Sequence, residues 1–350
     1  MSFHLANDLV TKGYRVIFIS KDPYFEKPQY KKLGKGELIL YSWPSQVKSS
    51  GLKDFLWFYK LWEVYRPIAS IGHHNGSIVS NILLTIMGLG RIKTFDYHHI
   101  NSQALIEARG ELTLRLRFFF WRKRVFYHFF CSKVICPSYE AIRNLEEFFN
   151  YKRGVVIPNP LPDNSHPTQP SSTSNKVVFG YLGRLDRNKN PLSLIDAFEH
   201  LADRFMEKKL SLIIAGDGEL KDEVKKRVEK NPRIHWLGFL NYQEIDSFYK
   251  KIDWLVVPSI SDVLPTVGIE AMVHSKPLIL SHGCGLKDFL VEGQSFILSK
   301  HDSNSLYNAL FQSVIKTEDE YVLMSKNSRL AYEDKFRLEN YFSKIEGLIM

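Results

Sequence analysis

Residues 176–190 read KVVFGYLGRLDRNKN, a short apolar run that ends in Gly183-Arg184 and is followed by Lys189 ahead of a helical pattern. The run predicts a buried strand whose carboxyl end opens into a polar loop. Arg184 and Lys189 can point two cations at one anionic group there, and Gly183 lets the backbone approach that group closely. The segment therefore indicates a diphosphate-binding turn. A charged loop with a tight turn is the alternative.

Outward from this stretch, short β-branched runs alternate with helix-length periodic segments along almost the whole chain, which is typical of α/β domains with parallel sheets. Residues 161–175 instead combine many Pro and Ser with no apolar period, which predicts a linker. We therefore predict one domain over 1–160 and a second over 176–330. Residues 331–350 are expected to form a C-terminal helix that can cross back to the first domain.

The pattern also predicts individual elements on both sides of the linker. Helices are expected at 2–12, 52–65, 76–88, 102–130 and 138–149, with strands near 14–20, 37–41, 68–72, 91–97, 132–136 and 152–157. Beyond the linker, strands are expected near 176–182, 210–215, 233–237, 253–258 and 277–281.

Two further strand-to-helix turns carry polar groups suited to a phosphorylated sugar. Residues 213–219 (IIAGDGE) run from a strand into a glycine turn at Gly216, where a helix start supplies backbone donors. Residues 258–272 place Asp262 in a loop and Glu270 eight residues later, in a helix that begins near Pro265. One carboxylate can hold sugar hydroxyls and the other a ribose diol. The alternative is that the acidic pair only caps the helix and supplies a surface charge. Leu264, Pro265, Thr266 and Val267 form the start of that helix, whose free N–H groups would stabilise phosphate charge.

With these motifs the sequence resembles the group 1 retaining glycosyltransferases of the GT-B fold, which move sugars from nucleotide sugars to bacterial polysaccharide or lipid acceptors. The resemblance implies two Rossmann-like doubly wound domains facing across a cleft, with the donor diphosphate on Arg184 and Lys189. The family's Glu-x7-Glu motif matches as Asp262-x7-Glu270, which implies donor-sugar contact for Asp262 and ribose contact for Glu270. The first acidic residue is Asp in place of Glu, and Val263 stands where glycine is common.

The resemblance also implies retention of anomeric configuration. The sequence holds neither an Asp-x-Asp triplet nor an HExxH motif, so we expect a metal-independent reaction without a cofactor. Cationic side chains and the helix dipole would then stabilise the departing diphosphate.

Two adjacent histidine pairs lie in the first half of the chain, His73-His74 and His98-His99. Neighbouring histidines point in different directions, so we expect neither pair to bind a metal. The resemblance places an acceptor-side histidine after the later strand, which makes His98 and His99 the catalytic candidates together with Asp262. A structural or solvent-facing role is the alternative for each histidine.

The excess positive charge lies entirely in the first half of the chain. Residues 1–160 hold 23 Lys+Arg against 12 Asp+Glu, a net +11, whereas residues 161–350 hold 24 against 26, a net −2. Residues 113–133 mix this charge with aromatic side chains, which favours a helix at an anionic membrane or acceptor. The alternative is an aromatic face packed into the first domain with its basic residues solvated. The cations concerned are Arg115, Arg117, Arg122, Lys123 and Arg124.

The chain has three cysteines and no CxxC pair, and residues 1–12 do not form a secretory signal. These two features predict a cytosolic protein. Residues 2–16 resemble the family's first helix and second strand. We therefore expect a late start or a fragment, with the family's opening strand and glycine-rich loop ahead of Met1. A complete chain would have a first sheet that lacks a central strand.

The leading hypothesis is a cytoplasmic glycosyltransferase, peripheral on the inner face of the cell membrane. It would extend a glycan or lipid-linked acceptor in lipopolysaccharide, capsule or exopolysaccharide biosynthesis. A non-catalytic GT-B-like nucleotide-binding protein or an inactive fragment is the main alternative, and a GT-B epimerase or phosphorylase is another. Nucleic acid is not the expected partner; a steep salt dependence of binding would reveal one.

Overall fold

A computed structural model of the chain describes residues 1–20, 27–45, 52–73, 78–107, 110–163, 176–290, 293 and 295–350. It divides into unit 1, Met1–Pro160 with Leu338–Met350, and unit 2, Leu161–Arg337. Most of the predicted linker, 164–175, lies outside the described residues.

Helices and strands alternate along both units. Up to Pro160 the elements are α1 (Ser2–Thr11), β1 (Arg15–Ser20), β2 (Gln29–Leu33), β3 (Gly36–Ser42), α2 (Leu52–Tyr65), β4 (Ala69–Gly72), α3 (Ile78–Met87), β5 (Lys93–Tyr97), α4 (Ser102–Glu107), α5 (Leu114–Phe130), β6 (Lys133–Cys136), α6 (Tyr139–Phe149) and β7 (Gly154–Val156). Beyond it are β8 (Lys176–Leu182), α7 (Pro191–Arg204), β9 (Lys209–Ala215), α8 (Lys221–Lys230), β10 (Ile234–Trp236), α9 (Tyr242–Lys251), β11 (Trp254–Val257), α10 (Thr266–Val273), β12 (Leu278–Ser281), β13 (Ser295–Leu298), α11 (Ser303–Val314), α12 (Glu318–Lys335) and α13 (Leu338–Ile349).

The described residues of unit 1 form two separate sheets. The first has the order β1-β3-β2, in which β3 is parallel to β1 and antiparallel to β2. The second has the order β4-β5-β6-β7 and is parallel throughout. Strand β2 was not expected, because its sequence, QYKKL, has no apolar run; it forms by hairpin pairing with β3 through a turn in which Gly34 has a φ of +63°.

The predicted single helix over 102–130 is wrong, because α4 and α5 are separate. Between them Gly110 has a φ of +72°, a conformation that interrupts a helix. The Thr113 side chain then caps α5 by accepting a hydrogen bond from the Leu116 N–H at 3.3 Å.

The C-terminal end also differs in detail from the expected single helix over 331–350. Position 330 falls inside α12, and the chain passes to unit 1 only at α13. Helix α13 buries Tyr341 and Ile345 against Leu5, Phe95 and Tyr97 in the core of unit 1.

Unit 2 is built on one parallel sheet of order β10-β9-β8-β11-β12-β13. The chain builds outward from β8 to β10, then returns to pair β11 on the other side of β8 and builds outward again to β13. The reversal between β8 and β11 is the topological switch point, where open α/β sheets bind ligands at the carboxyl ends of their strands.

Strand β13 was not among the predicted elements. Within the described ranges, no helix is long and apolar enough to cross a membrane.

Candidate functional site

Four predicted site residues of unit 2 lie in loops at the switch point of its sheet. The loop after β8 carries Gly183, Arg184 and Lys189, and the loop after β11 carries Asp262. Asn188 joins the two loops, since its backbone carbonyl accepts from the Ile260 N–H at 2.7 Å and its side-chain amide donates to the Ser261 carbonyl at 2.9 Å. No local sequence pattern points to Asn188, because its partners lie more than 70 residues along the chain.

The glycine turns after β8 and β9 are in close backbone contact. The Gly183 N–H donates to the Ala215 carbonyl at 3.0 Å, and Gly216, with a φ of +137°, lies directly against Gly183. A Cβ at position 216 would stand 1.8 Å from the Gly183 carbonyl oxygen. The site therefore needs glycine at position 216, because a side chain there would push the two turns apart.

The two ionic groups assigned by sequence to the diphosphate and to the sugar form an ion pair. The Lys189 ammonium donates to the Asp262 carboxylate, and their side chains are 23% and 15% exposed. The Lys189 N–H is fixed in turn by the Asp186 carboxylate at 2.8 Å. Asp262 is fixed by backbone contacts on both sides, from its N–H to the Gly283 carbonyl at 3.1 Å and from the Gly285 N–H to its carbonyl at 2.8 Å.

Arg184 is the most accessible cation of the site. Its side chain is 75% exposed and pairs with the Asp186 carboxylate at 3.2 Å. The backbone beneath it is fixed, since the buried Tyr181 hydroxyl donates to the Arg184 carbonyl at 2.7 Å. An exposed guanidinium on a rigid turn can reorient toward an anion without rearranging the fold.

Helix α10 starts at Thr266 beside this loop. Pro265 occupies its N-cap position and has no side-chain acceptor for the first-turn N–H groups. Thr266 is exposed and Val267 is half-buried, whereas Leu264 and Pro265 are buried. The accessible part of the helix start is therefore its first turn, whose partial positive charge favours an anion.

Glu270 lies inside α10 and is largely buried. Its carboxylate accepts from the Tyr249 hydroxyl at 3.0 Å. Burial raises the pKa of Glu270 above its usual 4.5, although the Tyr249 hydrogen bond opposes the shift. Tyr249, on α9, is a site residue that sequence reasoning missed, because it precedes Glu270 by 21 residues and belongs to no motif.

His98 is in the core of unit 1, which corrects its expected catalytic role. Its side chain is fully buried and hydrogen-bonds with the Tyr127 hydroxyl at 3.1 Å and the Asn144 amide at 3.0 Å. Burial lowers its pKa to about 4, so the ring stays neutral. A ring enclosed in this way cannot reach a substrate.

His99 is half-buried and stacks on Tyr97 at 5.4 Å between ring centroids. His73 stacks on the same tyrosine at 4.2 Å. His74 lies outside the described residues. Of the two catalytic candidates, His99 is the one with access to solvent. The described ranges contain no group of three or more His, Cys, Asp or Glu side chains placed to hold a metal ion.

Helix α5 divides its basic residues between two faces. Arg115, Arg117, Arg122 and Arg124 are exposed. Lys123 is 4% exposed and pairs with the buried Asp96 carboxylate at 3.2 Å, so its expected place at a membrane or acceptor surface is wrong. The face opposite Lys123 is apolar and exposed, at Leu114 (84%), Phe118 (57%), Trp121 (58%) and Phe129 (71%).

Solved structures identify the class of the fold. The chain matches sucrose-phosphate synthase from Thermosynechococcus elongatus with a TM-score of 0.72 at 17% identity, over 98% of this chain and 90% of that one. It matches Anabaena HepE, solved with UDP and glucose, with a TM-score of 0.70 at 15% identity, over 99% and 94%. The chain therefore has the predicted α/β GT-B fold.

Sequence comparison finds glycosyltransferases that resemble part of this chain. Residues 163–331 match the family described as glycosyl transferases group 1. A Campylobacter jejuni α-1,4-N-acetyl-D-galactosaminyltransferase, named for an undecaprenol-diphosphate-linked substrate, is 26% identical over 67% of this chain and 59% of its own length. An Escherichia coli UDP-Gal:α-D-GlcNAc-diphosphoundecaprenol α-1,3-galactosyltransferase is 30% identical over 50% and 45%. The resemblance to group 1 glycosyltransferases of bacterial polysaccharide biosynthesis is thus confirmed, and the chain spans about half the length of these relatives.

Proposed function

We propose that this protein is a glycosyltransferase whose unit 2 binds a nucleotide-sugar donor. The observation that carries the proposal is the convergence at one sheet end of two cations, a close-packed pair of glycine turns and a helix start. Arg184 and Lys189 supply the positive charge, Gly183 and Gly216 allow close backbone approach, and the first turn of α10 adds N–H donors. This set matches the charge and shape of a diphosphate.

In the proposed reaction the bond between the anomeric carbon and the diphosphate oxygen breaks, and the anomeric carbon bonds to an acceptor hydroxyl oxygen. The nucleoside diphosphate leaves with both electrons of the broken bond, and the proton that the acceptor hydroxyl loses passes to the departing diphosphate oxygen. Arg184, Lys189 and the α10 dipole stabilise that negative charge, which is the expected main source of rate enhancement. We propose a metal-independent reaction with retention of configuration and no cofactor.

Asp262 is proposed to contact donor-sugar hydroxyls, and Glu270 the ribose diol. Both carboxylates are fixed by contacts within unit 2. His99 is proposed as the acceptor-side residue, because its ring is accessible where that of His98 is not. The acceptor class, a glycan or lipid-linked sugar of bacterial surface polysaccharide, is supported by the names of the relatives.

We also propose that unit 1 contacts an anionic membrane surface on the cytoplasmic side through α5. At about 100° per residue, Leu114, Phe118, Trp121 and Phe129 share one stripe, and the four exposed arginines flank it on both sides. An apolar stripe bordered by cations fits the boundary between acyl chains and anionic headgroups.

Donor binding is tested by titration calorimetry of the chain with UDP, GDP and their sugar conjugates. One nucleotide should bind, and Arg184→Ala should weaken it by about 10-fold or more, the loss of one charge-assisted contact. Lys225→Ala, which removes one exposed cation from the middle of α8, is the matched control and should bind like the parent chain. Binding without any sugar transfer or donor hydrolysis would favour the non-catalytic alternative.

Membrane contact is tested by sedimentation with vesicles of phosphatidylcholine, with and without phosphatidylglycerol. Trp121→Ala should weaken binding to the anionic vesicles about 10-fold, the loss of one buried aromatic side chain. Leu323→Ala is the control, because it removes an apolar side chain that is 57% exposed on α12 of unit 2, away from α5. It should bind the vesicles like the parent chain. Equal binding to both vesicle types would contradict the role of the arginines.

A further inference from the structure

The hydroxyl of Tyr249 lies within hydrogen-bond distance of two acceptors on α10. Its oxygen is 2.9 Å from the Val267 carbonyl oxygen and 3.0 Å from Oε2 of Glu270. A phenol carries one O–H hydrogen, so it donates fully to one of the two acceptors at a time. In an α-helix the carbonyl of residue 267 already accepts from the N–H of residue 271. The acceptor that depends on Tyr249 is therefore the Glu270 carboxylate, since no other side chain of the described residues hydrogen-bonds to it.

The aromatic ring of Tyr249 is held in one position. It is fully buried and stacks on the His274 ring with centroids 4.9 Å apart, while the Phe248 ring meets it edge-on at 5.3 Å. Burial raises the pKa of the Tyr249 hydroxyl well above 10, so it remains a neutral donor. The hydroxyl oxygen is thus a fixed point beside the carboxylate, and its hydrogen is the part that can turn between Val267 and Glu270.

The protonation of Glu270 depends on this hydrogen bond. Burial raises the pKa of Glu270, and the bond from Tyr249 lowers it. The charged side chains packed nearby act instead on the ring of His274, and they are Asp246, Lys250, Lys276 and Arg329. Burial lowers the pKa of His274 to about 4, so that ring is neutral at neutral pH. The Tyr249 hydroxyl therefore decides how far Glu270 stays charged as the pH falls.

We propose that Tyr249 is a positioning residue, which holds one carboxylate oxygen of Glu270 so that the other is presented to the ribose diol of the donor nucleotide. This inference rests on the proposed function, in which Glu270 contacts the ribose. A glutamate side chain loses rotamer freedom when it binds a ligand. With Oε2 already bound to a fixed hydroxyl, that loss precedes binding, and Glu270 accepts the diol without rearrangement. Ribonucleotides should therefore be selected over 2′-deoxyribonucleotides through Tyr249 as well as Glu270.

The test is titration calorimetry of Tyr249→Phe with the nucleoside diphosphate that the parent chain binds, UDP or GDP, and with its 2′-deoxy analogue. The substitution keeps the ring and its stacking on His274 and removes the hydroxyl alone. Affinity for the ribonucleotide should fall about 10-fold, the loss of one hydrogen bond to a charged group, and affinity for the 2′-deoxynucleotide should change less than about 2-fold. The matched control is Tyr321→Phe, which removes another buried hydroxyl of unit 2, one that donates to the Asp253 carbonyl at 3.1 Å. It should bind both nucleotides like the parent chain.

Two further readouts separate positioning from a structural role. In Glu270→Ala, removing the Tyr249 hydroxyl should cost no further affinity, because both groups act on the same contact. In Tyr249→Phe, the pH below which ribonucleotide affinity falls should move upward by about one pH unit, because the carboxylate loses the bond that favours its charged form. The profile of the 2′-deoxynucleotide should not move, although it spans the same titration of His274.

A selective loss for the ribonucleotide, together with the upward move of its pH profile, supports the proposal. An equal loss for both nucleotides would overturn it, since the hydroxyl would then only hold α9 against α10. Unchanged affinity in Tyr249→Phe where Glu270→Ala binds weakly would also overturn it. If the parent chain binds the ribonucleotide and its 2′-deoxy analogue equally, the ribose contact in the proposed function is wrong, and the role of Tyr249 is overturned with it.

Discussion

The ion pair between Lys189 and Asp262 makes an opposed pair of predictions for nucleotide binding. Lys189→Ala should weaken binding of the nucleoside diphosphate, because it removes a cation from the proposed diphosphate site. Asp262→Asn should strengthen binding of the same nucleotide, because Asp262 both repels the diphosphate and holds the Lys189 ammonium. The sugar-bearing donor should gain less from Asp262→Asn, since Asp262 is proposed to contact the sugar.

The magnitudes follow from the exposure of the pair. A charge-assisted hydrogen bond contributes about 1.5–3 kcal/mol, so Lys189→Ala should raise Kd about 10- to 150-fold. The two side chains are 23% and 15% exposed, so solvent only partly screens the Asp262 charge. A repulsion of about 1–2 kcal/mol at that screening corresponds to a 5- to 30-fold tighter Kd in Asp262→Asn.

Titration calorimetry of both single variants and the double variant gives the coupling between them. If Asp262 holds Lys189 away from the ligand, Asp262→Asn should gain more affinity in the parent chain than in Lys189→Ala, where only the repulsion is relieved. Circular dichroism of each variant confirms that the fold is kept. Unchanged nucleotide affinity in Lys189→Ala and Arg184→Ala alike would refute the placement of the diphosphate at this loop.

Three further predictions concern buried ionisable groups. The pKa of His98 is lowered to about 4, below its unfolded value of 6.5, so its neutral ring stabilises the fold above pH 6.5 and that stability is lost as pH falls toward 4. Urea unfolding should show a loss of up to about 3 kcal/mol across this window, and a smaller loss in His98→Gln. Lys123→Met should lower the free energy of unfolding by about 3–5 kcal/mol, because the buried Asp96 carboxylate loses its cation, and Lys123→Met/Asp96→Asn should recover most of it. The pKa of Glu270 is raised above 4.5, so its carboxylate should take up a proton already as the pH falls toward 4.5, and nucleotide binding should weaken there. Calorimetry at several pH values should show a nucleotide affinity that depends less on pH in Glu270→Gln.

Strands with strong apolar patterns were predictable from sequence, and those with weak patterns were not. β8 and β11 are short buried runs, which indicate strands whatever surrounds them. Strand β2 is polar and exists through its pairing with β3, which no local pattern records. The helix predicted over 102–130 likewise missed the break between α4 and α5, which depends on the backbone conformation of Gly110 and the cap at Thr113.

The candidate site shows the same division between local and distant information. Arg184, Lys189 and Asp262 follow strand ends directly, so parallel-sheet topology alone predicts that they lie at one end of unit 2. Two hydrogen bonds of the site, from Asn188 to Ser261 and from Tyr249 to Glu270, depend on which strands become neighbours. No local sequence pattern specifies that pairing. The burial of His98 was equally hidden, because adjacent histidines have the same local pattern while one enters the core.

The positions of α5 show why a charge count cannot identify an interaction surface. Lys123 and Arg122 are neighbours in sequence, yet Lys123 compensates a buried carboxylate and Arg122 is exposed beside Phe118. Removing Lys123 should therefore unfold unit 1 more readily, whereas removing Arg122 should leave its stability unchanged and weaken only vesicle binding. This contrast separates the structural cation from those available to an anionic membrane.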